Sequence, residues 1–209
     1  ISLGLVGSEM CIRDRYSVDA RLRSASGAKS SIAHAALQFL PEAPGGGIFL
    51  DAGTTTAAFA ELITMQPAAK QWSIVTNSLS IALTLANSGL DEIQLLGGSV
   101  RGITQAVVGN AALRTLALMR AEVAFIGTNA LTVDHGLSTA DSQEAAIKSA
   151  MITNARKVVV LCDSTKMGTD YLVSFGSVDD IDVIITDANA PESFVKALRD
   201  RNVEVIIAS

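Results

Sequence analysis

A short aliphatic run recurs along this chain, each time followed by glycine or small polar residues and then by a helix-length segment. The runs fall at Ile48–Leu50, Trp72–Thr76, Ile93–Leu96, Val123–Ile126, Val158–Leu161, Val183–Ile185 and Val203–Ile207. Continuous apolar runs of this length suit strands buried on both faces. Between them, apolar periodicity predicts helices over Lys29–Leu40, from the DAGTTT segment through Met65, and over Leu79–Asn87, Asn110–Met119, Ser142–Ala155 and Pro191–Arg201. Strands alternating with helices predict βαβ units with right-handed crossovers. The fold class is therefore α/β: an open, mainly parallel sheet flanked by helices. Aromatic residues make up only 4% of the chain, so the core must come from Ala, Val, Ile and Leu, which a 49% hydrophobic content supplies. No low-complexity linker interrupts the pattern, and one domain is expected from Lys29 to Ser209.

Several function classes are excluded by charge and composition. The formal net charge is -5 and no cluster of Lys or Arg stands out, so this chain offers no surface suited to DNA. No apolar run is long enough to cross a bilayer. Cys11 and Cys162 share no CxxC or His/Cys spacing, which argues against a disulfide framework or zinc site. Cys162, inside KVVVLCD, reads as a small buried hydrophobe in a protein of the reducing cytoplasm. No metal or cofactor is expected.

The opening ISLGLVGSEMCIRDR is not a secretory leader, since it lacks a basic start and its apolar part is broken by Gly4, Gly7, Ser8 and Glu9. Leu5–Arg15 instead resembles, codon for codon, the translation of a transposon-based sequencing-library adapter. Residues 1–15 are accordingly expected to be an artefact with no stable packing on the domain. Natural sequence then begins near Tyr16, and 16–28 is the remnant of a linker.

In open parallel sheets, ligands sit beyond the carboxyl ends of the strands, and several strands here end in polar residues. The most informative is IFLDAGTTT, where a buried strand ends at Asp51, turns at Gly53 and enters a helix through Thr54, Thr55 and Thr56. Unpaired N–H groups at a helix start suit a phosphate, although Asp and Thr there could equally form an ordinary cap. No P-loop or GxGxxG pattern follows. Asn77 in WSIVTNS reads as a turn residue or a ligand contact. Arg101 in LLGGSVRG reads as a solvated cation or as a guanidinium clamp on phosphate or sugar oxygens. FIGTNAL brings Gly127, Thr128 and Asn129, while KVVVLCDSTKMG ends in Asp163, Ser164 and Lys166, of which Asp163 and Lys166 could pair across the turn. Glu144 and Lys148 lie four apart, the spacing of a helix-face ion pair. His34 and His135 have no nucleophile partner that would make a triad. Convergence of many small polar groups on one sheet edge argues for a binding site more strongly than any one of them.

Taken in order, DAGTTT, VTNS, LLGG with its following Arg, FIGTN, GLST and DSTKMG resemble the effector domain of DeoR-family transcriptional regulators. The resemblance covers nearly all of the chain after the adapter-like stretch. It implies a sensor domain related in fold to ribose-5-phosphate isomerase, preceded by a winged helix-turn-helix that is missing here and through which alone DNA would be bound. It implies a phosphorylated sugar as effector, repression of carbohydrate catabolism, homo-oligomerisation and no membrane partner. Carried onto this sequence, Gly53, Thr54, Thr55 and Thr56 become the phosphate cradle. Asp51, Asn77, Arg101, Lys148, Asp163 and Lys166 become contacts to phosphate or sugar hydroxyls. VRGITQAVVG, FIGTNAL and YLVSF are most similar to actinobacterial regulators of fructose utilisation, which points to fructose 1-phosphate. Glu122 departs from the family, which often has Asp there. The alternative is a sugar-phosphate isomerase on the same scaffold. That chemistry needs a carboxylate base, yet the isomerases' glutamate position falls at Lys148 and FIGTNAL carries no carboxylate. No catalytic residue is therefore expected.

Overall fold

Every one of the aliphatic runs becomes a strand, and together they form one seven-stranded sheet in which all pairings are parallel. The structure, a computed structural model, describes residues 26–209; the adapter-like stretch, Cys11 and most of the linker lie outside the described residues. The sheet strands are β1 (Gly47–Leu50), β2 (Ser73–Thr76), β3 (Ile93–Leu95), β6 (Ala121–Gly127), β9 (Ala155–Leu161), β11 (Val183–Asp187) and β12 (Glu204–Ala208). The helices are α1 (Ser26–Ala36), α2 (Thr54–Thr64), α3 (Leu79–Asn87), α4 (Asn110–Leu116), α5 (Ser142–Thr153) and α6 (Glu192–Arg199). Helix α1 passes into a 3-10 turn at Leu37–Phe39 and ends with Leu40 extended (φ -66°, ψ 145°). Pro41 requires this, because its ring excludes the helical conformation from the residue before it.

Strand order is β12-β11-β9-β6-β1-β2-β3. The chain therefore starts in the middle, steps outward through β2 and β3, returns to the other side of β1 at β6, and steps outward the opposite way. Crossovers of constant hand must then place helices on opposite faces in the two halves, and the core divides accordingly. Ile48, Leu50, Val123, Phe125, Val159 and Ile185 pack beneath α1, α2 and α3 through Ile32, Phe59, Ala60, Ile63 and Leu85. Phe49, Ala124, Ile126, Val158, Val160 and Ile184 pack against α4, α5 and α6 through Leu116, Ile147, Met151 and Leu198. Alternate residues of one strand thus serve opposite layers, which is why the runs read as continuously apolar.

Sequence reading did not resolve two small additions. β4 (Ser99–Arg101) and β5 (Ala106–Val108) form an antiparallel hairpin between β3 and α4. β7 (Ala130–Thr132), β8 (Gly136–Thr139) and β10 (Val173–Gly176) form a three-stranded antiparallel sheet beside α5, in the order β10-β8-β7. Each strand has only three or four residues and sits among turn residues, so no two-residue period is long enough to register. Among the described residues, no helix is long and apolar enough to cross a membrane.

Candidate functional site

Reversal of the strand order between β1 and β6, which themselves run parallel, opens a crevice at their carboxyl ends, the usual ligand position in such sheets. The register Leu50↔Phe125 carries Asp51 to the end of β6. Its backbone N–H donates to Phe125 O at 3.1 Å, and its Oδ2 accepts from Gly127 N–H at 3.1 Å. From α5, Lys148 Nζ donates to the same Oδ2 and to Gly127 O (2.9 Å), and it lies 5.4 Å from the centre of the Phe175 ring. Both side chains are buried, at 5% and 1% exposure. Burial pushes the Asp51 carboxyl above its ordinary value, opposed by the Lys148 ammonium and the Gly127 N–H, with the charge of Glu144 adding to the rise. Asp51 Oδ1 is buried without a hydrogen-bond partner among the described residues. The helix-face pair expected between Glu144 and Lys148 does not form, because Lys148 turns inward to Asp51.

Immediately after Asp51 the chain enters α2. Gly53 is its N-cap and makes no side-chain cap; the first helical bond runs from Ala57 N–H to Gly53 O (2.9 Å). The N–H groups of Thr54, Thr55 and Thr56 precede that bond and have no intrahelical acceptor. Thr56 is fully buried, and its hydroxyl points back to the carbonyl oxygens of Asp51 (2.7 Å) and Gly53 (2.9 Å), so it shapes the turn and does not face the crevice. Asn77 is also buried. Its Oδ1 accepts from Ala52 N–H (2.9 Å) and its Nδ2 donates to Val107 O (3.4 Å), tying the turn after β1 to the β4–β5 hairpin.

Arg101 is not a free loop cation. Its Nη1 is 2.6 Å from Glu144 Oε1 and its Nη2 is 3.3 Å from Asp141 Oδ2. Asp163 and Lys166 lie on the turn after β9, on the same sheet edge, and do not pair with one another: Asp163 accepts from Thr165 N–H (3.2 Å) as the cap of a 3-10 turn. Direct hydrogen bonds thus join Lys148 to Asp51 and Thr56 to Asp51 and Gly53, Asn77 holds the intervening Ala52, and Arg101 bonds Glu144 on the helix that carries Lys148. Asp163 and Lys166 share the edge without bonding to that group.

Two buried polar residues at or beside this edge, Asp187 and Lys29, carry no signal that sequence reading used, and a third, Glu144, reads there only as a helix-face partner of Lys148. Lys29 lines a cavity with Ser30, Thr54, Ala58 and Glu61, at the first turn of α2. Its signal was a cation in the apolar stripe formed with Ile32, Ala33 and Ala36 on α1. Asp187, at the end of β11, accepts from Ser164 N–H (2.6 Å), Ser164 Oγ (2.9 Å), Asn189 N–H (3.2 Å) and Asn189 Nδ2 (3.1 Å), and so holds the DSTK turn. Burial pushes its carboxyl up, but these hydrogen bonds outweigh burial and leave it below the ordinary carboxylate value. A depressed folded pKa gives stability that is present above the unfolded value and lost as pH falls through the folded one. The stability difference between the native chain and Asp187→Asn is therefore expected to shrink steadily as urea titrations are repeated from pH 5 down to about 2. A pH-independent difference would remove the ionised carboxylate from this account.

Residues 24–188 match the family described as the DeoR C terminal sensor domain. The chain is 36% identical over 180 residues to the HTH-type transcriptional regulator GlpR of Haloferax volcanii, covering 85% of this chain and 68% of that protein. It is 30% identical over 177 residues to the glycerol-3-phosphate regulon repressor of Escherichia coli, with the same coverage. Among solved structures, a probable sor operon regulator from Shigella flexneri aligns with a TM-score of 0.52 at 13% identity, covering 92% of this chain and 87% of that one. Ribose 5-phosphate isomerase A of Methanocaldococcus jannaschii aligns with a TM-score of 0.50 at 18% identity, covering 69% of this chain and 55% of that one. At those identities the structural likeness concerns the fold alone.

Proposed function

The chain belongs to the DeoR family through its C-terminal sensor domain, and on that premise we propose that it senses a phosphorylated sugar on behalf of a DNA-binding repressor of carbohydrate catabolism. The observation that carries this is the uncapped start of α2 beside the buried Asp51–Lys148 pair, at the point where the strand order reverses. The N–H groups of Gly53, Thr54, Thr55 and Thr56 supply donors and partial positive charge for a phosphate. Asp51 Oδ1, still lacking a donor, suits a sugar hydroxyl. Arg101, Lys148, Asp163 and Lys166 would complete the surround, with Asn77 and Thr56 holding the turn in shape.

The names of the relatives support a regulator, and one of them refers to a phosphate ester. Fructose 1-phosphate is the first choice, on the similarity of VRGITQAVVG, FIGTNAL and YLVSF to fructose-utilisation regulators. DNA contact is assigned to a winged helix-turn-helix preceding these residues in a homo-oligomer whose arrangement the ligand biases by differential affinity. Isomerase chemistry is disfavoured because the crevice carboxylate, Asp51, is engaged by an ammonium and is poorly placed to act as a free base.

Calorimetric titration tests the reading. Fructose 1-phosphate should bind at least about tenfold more tightly than fructose, since charge-assisted bonds to the phosphate are the strong ones. Equal affinity for the two sugars would remove the phosphate cradle, and sugar-phosphate isomerase turnover by the purified chain would replace the sensor with an enzyme.

A further inference from the structure

The β4–β5 hairpin is fastened in two different ways. On its β5 side the fastening is backbone and local: Val107 N–H to Asn77 O (2.7 Å), Leu79 N–H to Gln105 O (3.2 Å), and Asn77 Nδ2 to Val107 O. On its other side it converges on one carboxylate oxygen. Glu144 Oε1 takes both Arg101 Nη1 (2.6 Å) and the Thr104 hydroxyl (2.5 Å). Asp141 adds a longer contact to Arg101, but its Oδ1 already caps α5 by accepting from Gln143 N–H (3.0 Å) and Glu144 N–H (2.9 Å).

Glu144 is only 8% exposed, so its charge is poorly screened, and it acts on the buried Asp51 carboxyl across the crevice. The guanidinium that would clamp a phosphate is therefore held by a buried anion, with the hairpin tip held by the same atom. An Arg fork accepts a carboxylate or a phosphate in the same geometry, and cannot serve both fully at once.

We propose that Glu144 is a specificity-setting residue that competes with the incoming phosphate for Arg101, so that a ligand enters by displacing the Arg101–Glu144 pair and releasing the hairpin tip. This rests on the phosphate reading of the site. An unphosphorylated sugar lacks the charge to compete and leaves the pair closed.

Glu144→Gln tests this, since it keeps the size and an acceptor for Thr104 while removing the competing charge. Titrated with inorganic phosphate and with fructose 1-phosphate, the variant should bind each about tenfold more tightly than the native chain, with fructose unchanged. Amide exchange over residues 99–108 should be faster in the ligand-free variant. In an Arg101→Gln background the gain should vanish, as a double-mutant cycle requires of a direct competition. Glu144→Asp, which withdraws the carboxylate from Arg101, should move affinity in the same direction by less, and serves if the amide variant does not fold. Unchanged or weaker phosphate binding by Glu144→Gln overturns the competition while leaving the cradle standing. An equal gain without Arg101 overturns it as well, by reducing the effect to general electrostatics. Failure of both the native chain and Glu144→Gln to bind phosphate or fructose 1-phosphate removes the cradle and this inference together.

Discussion

Replacing Lys148 with methionine is expected to destabilise the fold by about 3–5 kcal/mol, the cost of stranding one member of a buried ion pair. Methionine keeps the aliphatic stem against Phe175 but removes the donor to both Asp51 Oδ2 and Gly127 O. The Asp51 carboxylate would then be fully buried with the Gly127 backbone N–H as its one donor among the described residues. For a domain of this size the thermal midpoint should fall by roughly 10 °C. The penalty should ease as pH is lowered, because a carboxyl raised above its ordinary value in the folded state favours folding when protonated. Asp51→Asn combined with Lys148→Met should recover part of the loss, since the double change leaves no unpaired charge. A melt of Lys148→Met that matches the native chain would show that the pair does not stabilise the fold.

Two adjacent glycines, Gly97 and Gly98, should respond very unequally to the same substitution. Gly98 has a φ of +156°, and a Cβ there would lie 2.4 Å from Val108 O and 3.1 Å from Val107 Cγ1. The first of these is backbone of the hairpin's own partner strand, so no side-chain rotation relieves it. Gly98→Ala should cost about 2–4 kcal/mol, from overpacking together with backbone strain. A Cβ at Gly97 meets nothing within 4 Å, and Gly97→Ala should stay within about 0.5 kcal/mol of the native chain. Urea unfolding of the two variants decides the matter, and equal midpoints would contradict the close packing of β5 on Gly98. Because β5 also receives Asn77, the same clash should loosen the turn that leads into α2.

Much of this was legible in the residues because a fully buried parallel strand must be apolar on both faces. Val158 and Val160 serve one layer while Val159 and Leu161 serve the other, so the run announces itself without any period. Parallel pairing also puts every strand's carboxyl end on one edge, which is why Asp51, Asn77 and Asp163 were found there by following the strand ends. Partner choice among charges was not legible. Lys148 has Glu144 one turn away on its own helix, yet bonds Asp51, 97 positions distant. Helix spacing says which side chains are neighbours on a cylinder, but not which way a long flexible one turns when a buried carboxylate competes. Glu144 was missed as a functional residue for the same reason: its partners, Arg101 and Thr104, come from a hairpin whose strands are too short to read. Asp187 carries no sequence signal of its own, because its partner Ser164 lies on the turn after β9.

Outward growth from the middle of the sheet leaves the first and second parts of the chain joined, within the main sheet, along a single line of three Cα partners: Ile48↔Val123, Phe49↔Ala124 and Leu50↔Phe125. Across that seam, α2 and its open N–H groups belong to one part, and Lys148 belongs to the other. A molecule gripped from both sides would act as a clasp on the seam, and filling or emptying it would alter the tension between two half-sheets that α1 also bridges by packing on β9, β11 and β12. The line along which the strand order turns back is thus also the line where a small ligand can bear on both halves at once.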